Sequence, residues 1–211
     1  MDILQHISDS LRNGDDKKVF ELTKQAIEQS ISPKEILDNG FIAGMNIVGE
    51  QFGKHEIFLP EVLLAARAMY AGLDQLKPLL AKDEIPNLGK IVIGTVHGDL
   101  HDIGKNLVGI MVRGAGFEVI DLGKDVPAEK FLDTAVKEEA KVIGMSALLT
   151  TTAPVMKTVT DLLMKEGLTG TIRTIIGGAP ISEEYARDIG ADAYAYDAAK
   201  AVERVKHLVN V

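Results

Sequence analysis

From Lys90 onward, short apolar runs alternate with amphipathic stretches, and this alternation restricts the fold more than any other feature of the chain. A run such as Ile91-Val92-Ile93 suits a buried strand and is too short for a core helix. The spacing predicts strands over 91–94, 118–122, 142–145, 171–176 and 192–196. Helices are expected over about 104–114, 127–139, 154–166, 182–188 and 198–209, with Pro127 and Pro154 at two of the starts. Strands that are each followed by a helix pair in parallel, because every connection must cross back over the sheet. The expectation is a flavodoxin-like, doubly wound sheet of five parallel strands with helices on both faces. Such sheets bind ligands at the carboxyl ends of their strands.

The first eighty or so residues keep a helical period instead. Leu4, Ile7 and Leu11 mark one helix, and Val19, Leu22 and Ala26 a second after Gly14-Asp15. A third opens with Ser32-Pro33-Lys34-Glu35, an N-cap followed by a first-turn proline, and continues through Leu37, Phe41, Gly44, Val48 and Phe52. After a loop at 53–58, a fourth helix from Leu59 carries Val62, Ala66, Met69, Leu73, Leu76 and Leu80 as a bundle seam. The helical period breaks over 83–89, where Pro86 and Gly89 mark a linker. The expected domains are a four-helix bundle over 1–86 and an α/β domain over 90–211.

Composition removes several functional classes. With 46% hydrophobic and 26% charged residues the chain reads as globular. No apolar run approaches the roughly 18 residues of a membrane helix. The start of the chain, Met1-Asp2-Ile3-Leu4-Gln5-His6, lacks a basic n-region and an apolar h-region, so a cytoplasmic location is expected. A net charge of −8 without a basic patch argues against nucleic acid as a partner. The chain has 0 cysteines, which removes disulfides, iron–sulfur clusters and thiol chemistry together. Histidine and carboxylates are left as the strong metal ligands.

The strand ending at Gly94 is followed by Thr-Val-His-Gly-Asp-Leu-His-Asp-Ile-Gly, which places Asp99, His101 and Gly104 on a loop at the ligand edge. A lone histidine beside aspartates is ordinarily a hydrogen-bonded structural residue. Gly98 and Gly104, which let a bulky ligand approach the backbone, favour a functional reading. Imidazole nitrogen is a good ligand for a first-row metal such as cobalt. Its other nitrogen usually donates to a carboxylate, and Asp99 lies two residues away. His97 and His101 are spaced as in His-x-x-x-His zinc sites, but Gly98 stands where a zincin has glutamate, so hydrolytic zinc is disfavoured.

The pattern Asp99-x-His101-x-x-Gly104, then Ser146-x-Leu148, then Gly177-Gly178 resembles the cobalamin-binding module of methionine synthase and of the corrinoid proteins of methyltransferase systems. The resemblance implies that His101 is the lower axial ligand of cobalt in the base-off, histidine-on mode. It implies an Asp99–His101 relay completed by the hydroxyl of Thr152, where methionine synthase carries serine. Gly98, Leu100, Asp102, Ile103 and Gly104 would flank the ligand. Ser146, Leu148, Thr150, Gly177 and Gly178 would line a channel for the nucleotide tail, with Ala198 near the cofactor. Phe52 and Leu59, with Val62 nearby, would shield the upper, methyl-bearing face. Alone, Phe52, Leu59 and Met69 read as bundle core, but the helix ends at Phe52 and Leu59 and the loop between them suit a cap. The implied cofactor is cobalamin or a related corrinoid, alternating between methylcob(III)alamin, which accepts a lower ligand, and cob(I)alamin, which discards it.

Methionine synthase carries substrate and activation domains that this sequence does not contain. The resemblance therefore implies a methyl carrier served by partners: a substrate-specific methyltransferase for aryl methyl ethers, methylamines or methanol, an acceptor methyltransferase, and a reductive activator protein. No membrane or nucleic-acid partner is expected. Two alternatives share the domain, the small subunit of an adenosylcobalamin mutase and a cobalamin-dependent sensor. The helical cap argues against the first, and a short acidic N-terminus without a DNA-binding segment against the second.

Overall fold

Runs of Val and Ile without polar alternation form strands covered on both faces, and such runs build the inner strands of the sheet in this protein. A computed structural model of the chain describes residues 2–76, 78–79 and 88–210. It divides into two compact units, a helical one over Met1–Pro86 and an α/β one over Asn87–Val211, apart from Gly114–Gly116, which cluster with the first.

In the α/β unit the strands are β1 (Lys90–Thr95), β2 (Glu118–Asp121), β3 (Val142–Ser146), β4 (Arg173–Gly177) and β5 (Ala193–Tyr194), all parallel, in the order β2-β1-β3-β4-β5. Ile91 pairs with Val119 on one side and Val142 on the other. The chain leaves β1 toward one edge of the sheet and β3 toward the other, so the carboxyl end between them is the switch point at which such sheets bind ligands. Five helices complete the unit: Ile103–Gly114, Ala128–Lys137, Pro154–Lys165, Glu183–Asp188 and Ala198–Leu208. The first packs against one face, with Gly109 over Ile93, and the second against the other, with Phe131 over Gly94. The flavodoxin-like expectation holds.

Two strands differ from expectation. β4 begins at Arg173 rather than Thr171, because Ile172 N–H turns back to the Leu168 carbonyl. β5 is two residues long rather than five, because the Asp192 carboxylate, not a backbone carbonyl, accepts the Thr174 N–H at 2.8 Å.

The helical unit holds α1 (Ile3–Arg12), α2 (Asp16–Glu28), α3 (Pro33–Glu35), a π-helical segment (Ile36–Ile42), α4 (Ala43–Gly53) and α5 (Leu59–Leu76). Asp2, Asp15 and Ser32 cap α1, α2 and α3 by accepting backbone N–H groups. From α3 through α4 the helix is continuous but not uniform, which the period did not predict. Ala43 N–H bonds to the Asp38 carbonyl, five residues back. The buried positions explain this turn. Ile36, Leu37, Gly40, Phe41, Gly44, Met45 and Val48 repeat every fourth residue, and an α-helix would carry such a stripe away from the core. One wider turn brings it back. Leu80 of the expected seam, and 83–87 of the expected linker with Pro86, lie outside the described residues. No helix among the described residues is long and apolar enough to cross a membrane.

Candidate functional site

The β1 loop doubles back at Gly98, whose φ of +82° is a glycine conformation. Asp99 N–H bonds to the Val96 carbonyl, turning the Asp99 side chain inward, where it is 0% exposed. Its carboxylate then accepts five hydrogen bonds. Oδ1 accepts from His101 N–H at 3.1 Å and from the His101 ring at Nδ1 at 2.8 Å. Oδ2 accepts from the N–H groups of Leu148 at 2.7 Å and Leu149 at 3.2 Å, and from the Thr152 hydroxyl at 2.9 Å. The Thr152 hydroxyl also lies 3.0 Å from the Leu149 carbonyl, but it has one proton, and the carboxylate is the stronger acceptor.

Burial alone would raise the Asp99 pKa. The bonds from Leu148 N–H, the His101 ring and N–H, and Thr152 outweigh it and hold the carboxyl well below its ordinary range. An ionised carboxylate only accepts, so Nδ1 of His101 must carry the ring proton. Nε2 is then the nitrogen with a lone pair. The His101 side chain is 52% exposed, and the Thr95 hydroxyl donates to its carbonyl at 2.9 Å.

Other expected positions are placed as follows. Ser146 ends β3, and its carbonyl accepts the Val96 N–H at 3.0 Å, tying the two loops together. Leu148 and Thr150 are exposed on the loop after β3. The Asp102 carbonyl starts the first helix by accepting Asn106 N–H at 2.8 Å. Leu100 and Ile103 are 62% and 74% exposed, and a Cβ on Gly104 would meet open space. Gly177 ends β4 and Gly178 follows it. A Cβ on Gly178, at φ +133°, would collide with the Ala147 carbonyl oxygen, so the two loops can meet here only through glycine. Ala198 is buried in the first turn of its helix. Phe52, Leu59 and Val62 belong to the helical unit, where Phe52 and Leu59 are half-buried and Val62 is fully buried, as a core residue would be. The structure thus brings Asp99, His101, Leu148 and Thr152 into one hydrogen-bonded group. His97 bonds instead to Asp125 at 2.8 Å, and no group of three metal-ligating side chains occurs among the described residues.

Protein-family models, both described as a B12 binding domain, match residues 89–206 and 3–77. The chain belongs to the B12-binding family. This corrinoid protein is 43% identical over 209 residues to the dimethylamine corrinoid protein of Methanosarcina barkeri, spanning 99% of this chain and 98% of that one. It is 41% identical over 207 residues to trimethylamine corrinoid protein 1 of Methanosarcina mazei, spanning 97% and 96%. Its structure matches a chain of the methanol:cobalamin methyltransferase complex MtaBC from Methanosarcina barkeri with a TM-score of 0.90 at 31% identity, over 99% of this chain and 80% of that one. Its cofactor is cobalamin or a related corrinoid.

The site suits such a group. His101 presents one unprotonated ring nitrogen, a donor that cobalt accepts. Exposed Leu100, Ile103, Leu148 and Leu149 border the carboxyl edge, an apolar rim that gains by being covered with a macrocycle. Four participants were not singled out from the sequence. The Leu149 N–H and the Thr95 hydroxyl give no signal, because backbone donors and common hydroxyls do not mark themselves. Lys105 and Asp121 form a pair, with the Lys105 Nζ 5% exposed as a residue and 2.6 Å from Asp121 Oδ2. A lysine on the apolar side of a helix is the sign that could have exposed them.

Proposed function

We propose that this corrinoid protein is a methyl carrier of a methylamine methyltransferase system. His101 would bind cobalt through Nε2, and Asp99 and Thr152 would tune that bond. When bound, the corrinoid supplies a cobalt centre able to take up and release a methyl group. The residues around it supply the control. Asp99 keeps the ring oriented and the proton on Nδ1. The five hydrogen bonds that Asp99 accepts keep it ionised, so it acts on His101 as an acceptor at Nδ1 and leaves Nε2 to the metal. Leu148, Thr150, Ser146, Gly177 and Gly178 would receive the nucleotide tail.

The carrying observation is the Nδ1–Asp99 bond, which leaves the other ring nitrogen free for a metal. The methylamine assignment rests on the names of relatives that match nearly end to end. The proposed partners are a methylamine-specific methyltransferase, an acceptor methyltransferase using tetrahydrofolate or a thiol, and a reductive activator. The test is reconstitution with hydroxocobalamin, comparing wild type with His101→Ala by absorbance. The wild type is expected to give the histidine-on spectrum and the variant to lose it. Identical base-on spectra would overturn the ligand assignment. Radiolabelled mono-, di- and trimethylamine, each with its methyltransferase, should label the reduced wild type. Labelling only from methanol would overturn the methylamine reading.

A further inference from the structure

The ladder between β1 and β2 loses its regular register beyond Asp121. Thr95 donates to the Gly123 carbonyl and accepts from the Val126 N–H, three residues apart where a regular parallel pair spans two. Lys124 and Asp125 therefore bulge out of the ladder. Bulges of this kind re-aim a side chain beside a site. Asp125 is also in the left-handed region, with φ +57°, which aspartate visits more readily than most non-glycine residues.

What holds Asp125 is the histidine loop. The Asp125 N–H donates to the Asp99 carbonyl at 3.1 Å. Its carboxylate Oδ1 accepts the Gly98 N–H at 2.7 Å and the His97 ring at 2.8 Å. One residue thus grips successive residues of the turn that sends Asp99 inward. A second carboxylate from the same region, Asp121, anchors the other end of the loop through Lys105 in the first turn of the helix that follows it.

We propose that Asp125 is a positioning residue for the ligand histidine. By gripping Gly98 and Asp99 it sets the depth of the Asp99 carboxylate, and the carboxylate then holds the His101 ring as the Nδ1–H tautomer. The proposal rests on His101 being the cobalt ligand. Without Asp125 the turn relaxes, the Asp99–His101 bond weakens, and the Nε2–H tautomer, whose Nε2 has no lone pair to offer a metal, gains population.

The test uses the full-length chain with Asp125→Ala, Asp125→Gly and Asp125→Asn. Glycine keeps the left-handed backbone and removes only the carboxylate. Asparagine tolerates that backbone and keeps an oxygen acceptor. Nitrogen NMR of the His101 ring in the apoprotein, at a pH where imidazole is neutral, reports the tautomer without any cofactor. Wild type and Asp125→Asn are expected to show the Nδ1–H form, while Asp125→Ala and Asp125→Gly show a mixture. Titration with hydroxocobalamin should show binding weakened about 10-fold in Asp125→Gly, with the histidine-on spectrum partly lost. A wild-type tautomer ratio in folded Asp125→Gly would overturn the proposal. If wild type loses neither affinity nor spectrum on His101→Ala, the ligand assignment fails instead, whatever the tautomer data show.

Discussion

Replacing Thr152 by valine isolates one strand of the Asp99 network. Valine keeps the branched shape and deletes the hydroxyl, so the cavity term is small and the hydrogen bond dominates. Of the five donors on Asp99, four remain. The Leu149 carbonyl keeps its backbone donors from Thr152 and Ala153 and is not orphaned. What is lost is one buried hydrogen bond of 2.9 Å to an ionised carboxylate. Such bonds contribute about 1.5–3 kcal/mol. The expected loss is therefore about 2 kcal/mol, or a roughly 30-fold rise in the population of the unfolded α/β unit. Native-state hydrogen exchange at the amides of β1 and β3 reads this directly, since the slowest core amides report the unfolding of their own unit. Thr152→Ser keeps the oxygen and loses a methyl group, so its cost should stay near 0.8 kcal/mol. The reasoning fails if Thr152→Val exchanges like wild type, or if serine costs as much as valine.

The pH dependence of Asp99 has a definite sign. Its carboxyl is held below the ordinary value of 3.8, so the folded state binds that proton more weakly than the unfolded state. The stability of wild type over Asp99→Asn should be constant above the ordinary range and shrink as the pH falls through it. A gap that widens on acidification in urea titrations would contradict the hydrogen-bond network. Gly178→Ala forces a Cβ into the Ala147 carbonyl at a backbone conformation that alanine avoids. A loss on the order of 3 kcal/mol is expected in the same exchange experiment. A wild-type protection pattern would mean that the two loops separate freely.

Much of the molecule was legible from local chemistry. The change from helical to strand period announced the α/β unit, and Ser32-Pro33 announced the start of α3, whose cap bond to Glu35 N–H is 3.2 Å. The pair Asp99 and His101 was legible because two residues separate few degrees of freedom, and their contact closes within one loop at 2.8 Å. Thr152 was reachable through family resemblance, and its hydroxyl does meet Asp99, 53 residues away in sequence. Val62 is fully buried, and spacing alone cannot distinguish a seam position of the bundle from one that lines a cofactor.

The chain's own periodicity decided which segments are strands and which are helices, since that depends on neighbours within a few residues. Tertiary structure alone decided what surrounds the Asp99 carboxylate. The N–H groups of Leu148 and Leu149, and the bulged Asp125, reach the histidine loop because β1 lies between β2 and β3. Backbone donors carry no residue identity, and a bulge is a misfit between two strands. Neither exists until the strands are paired.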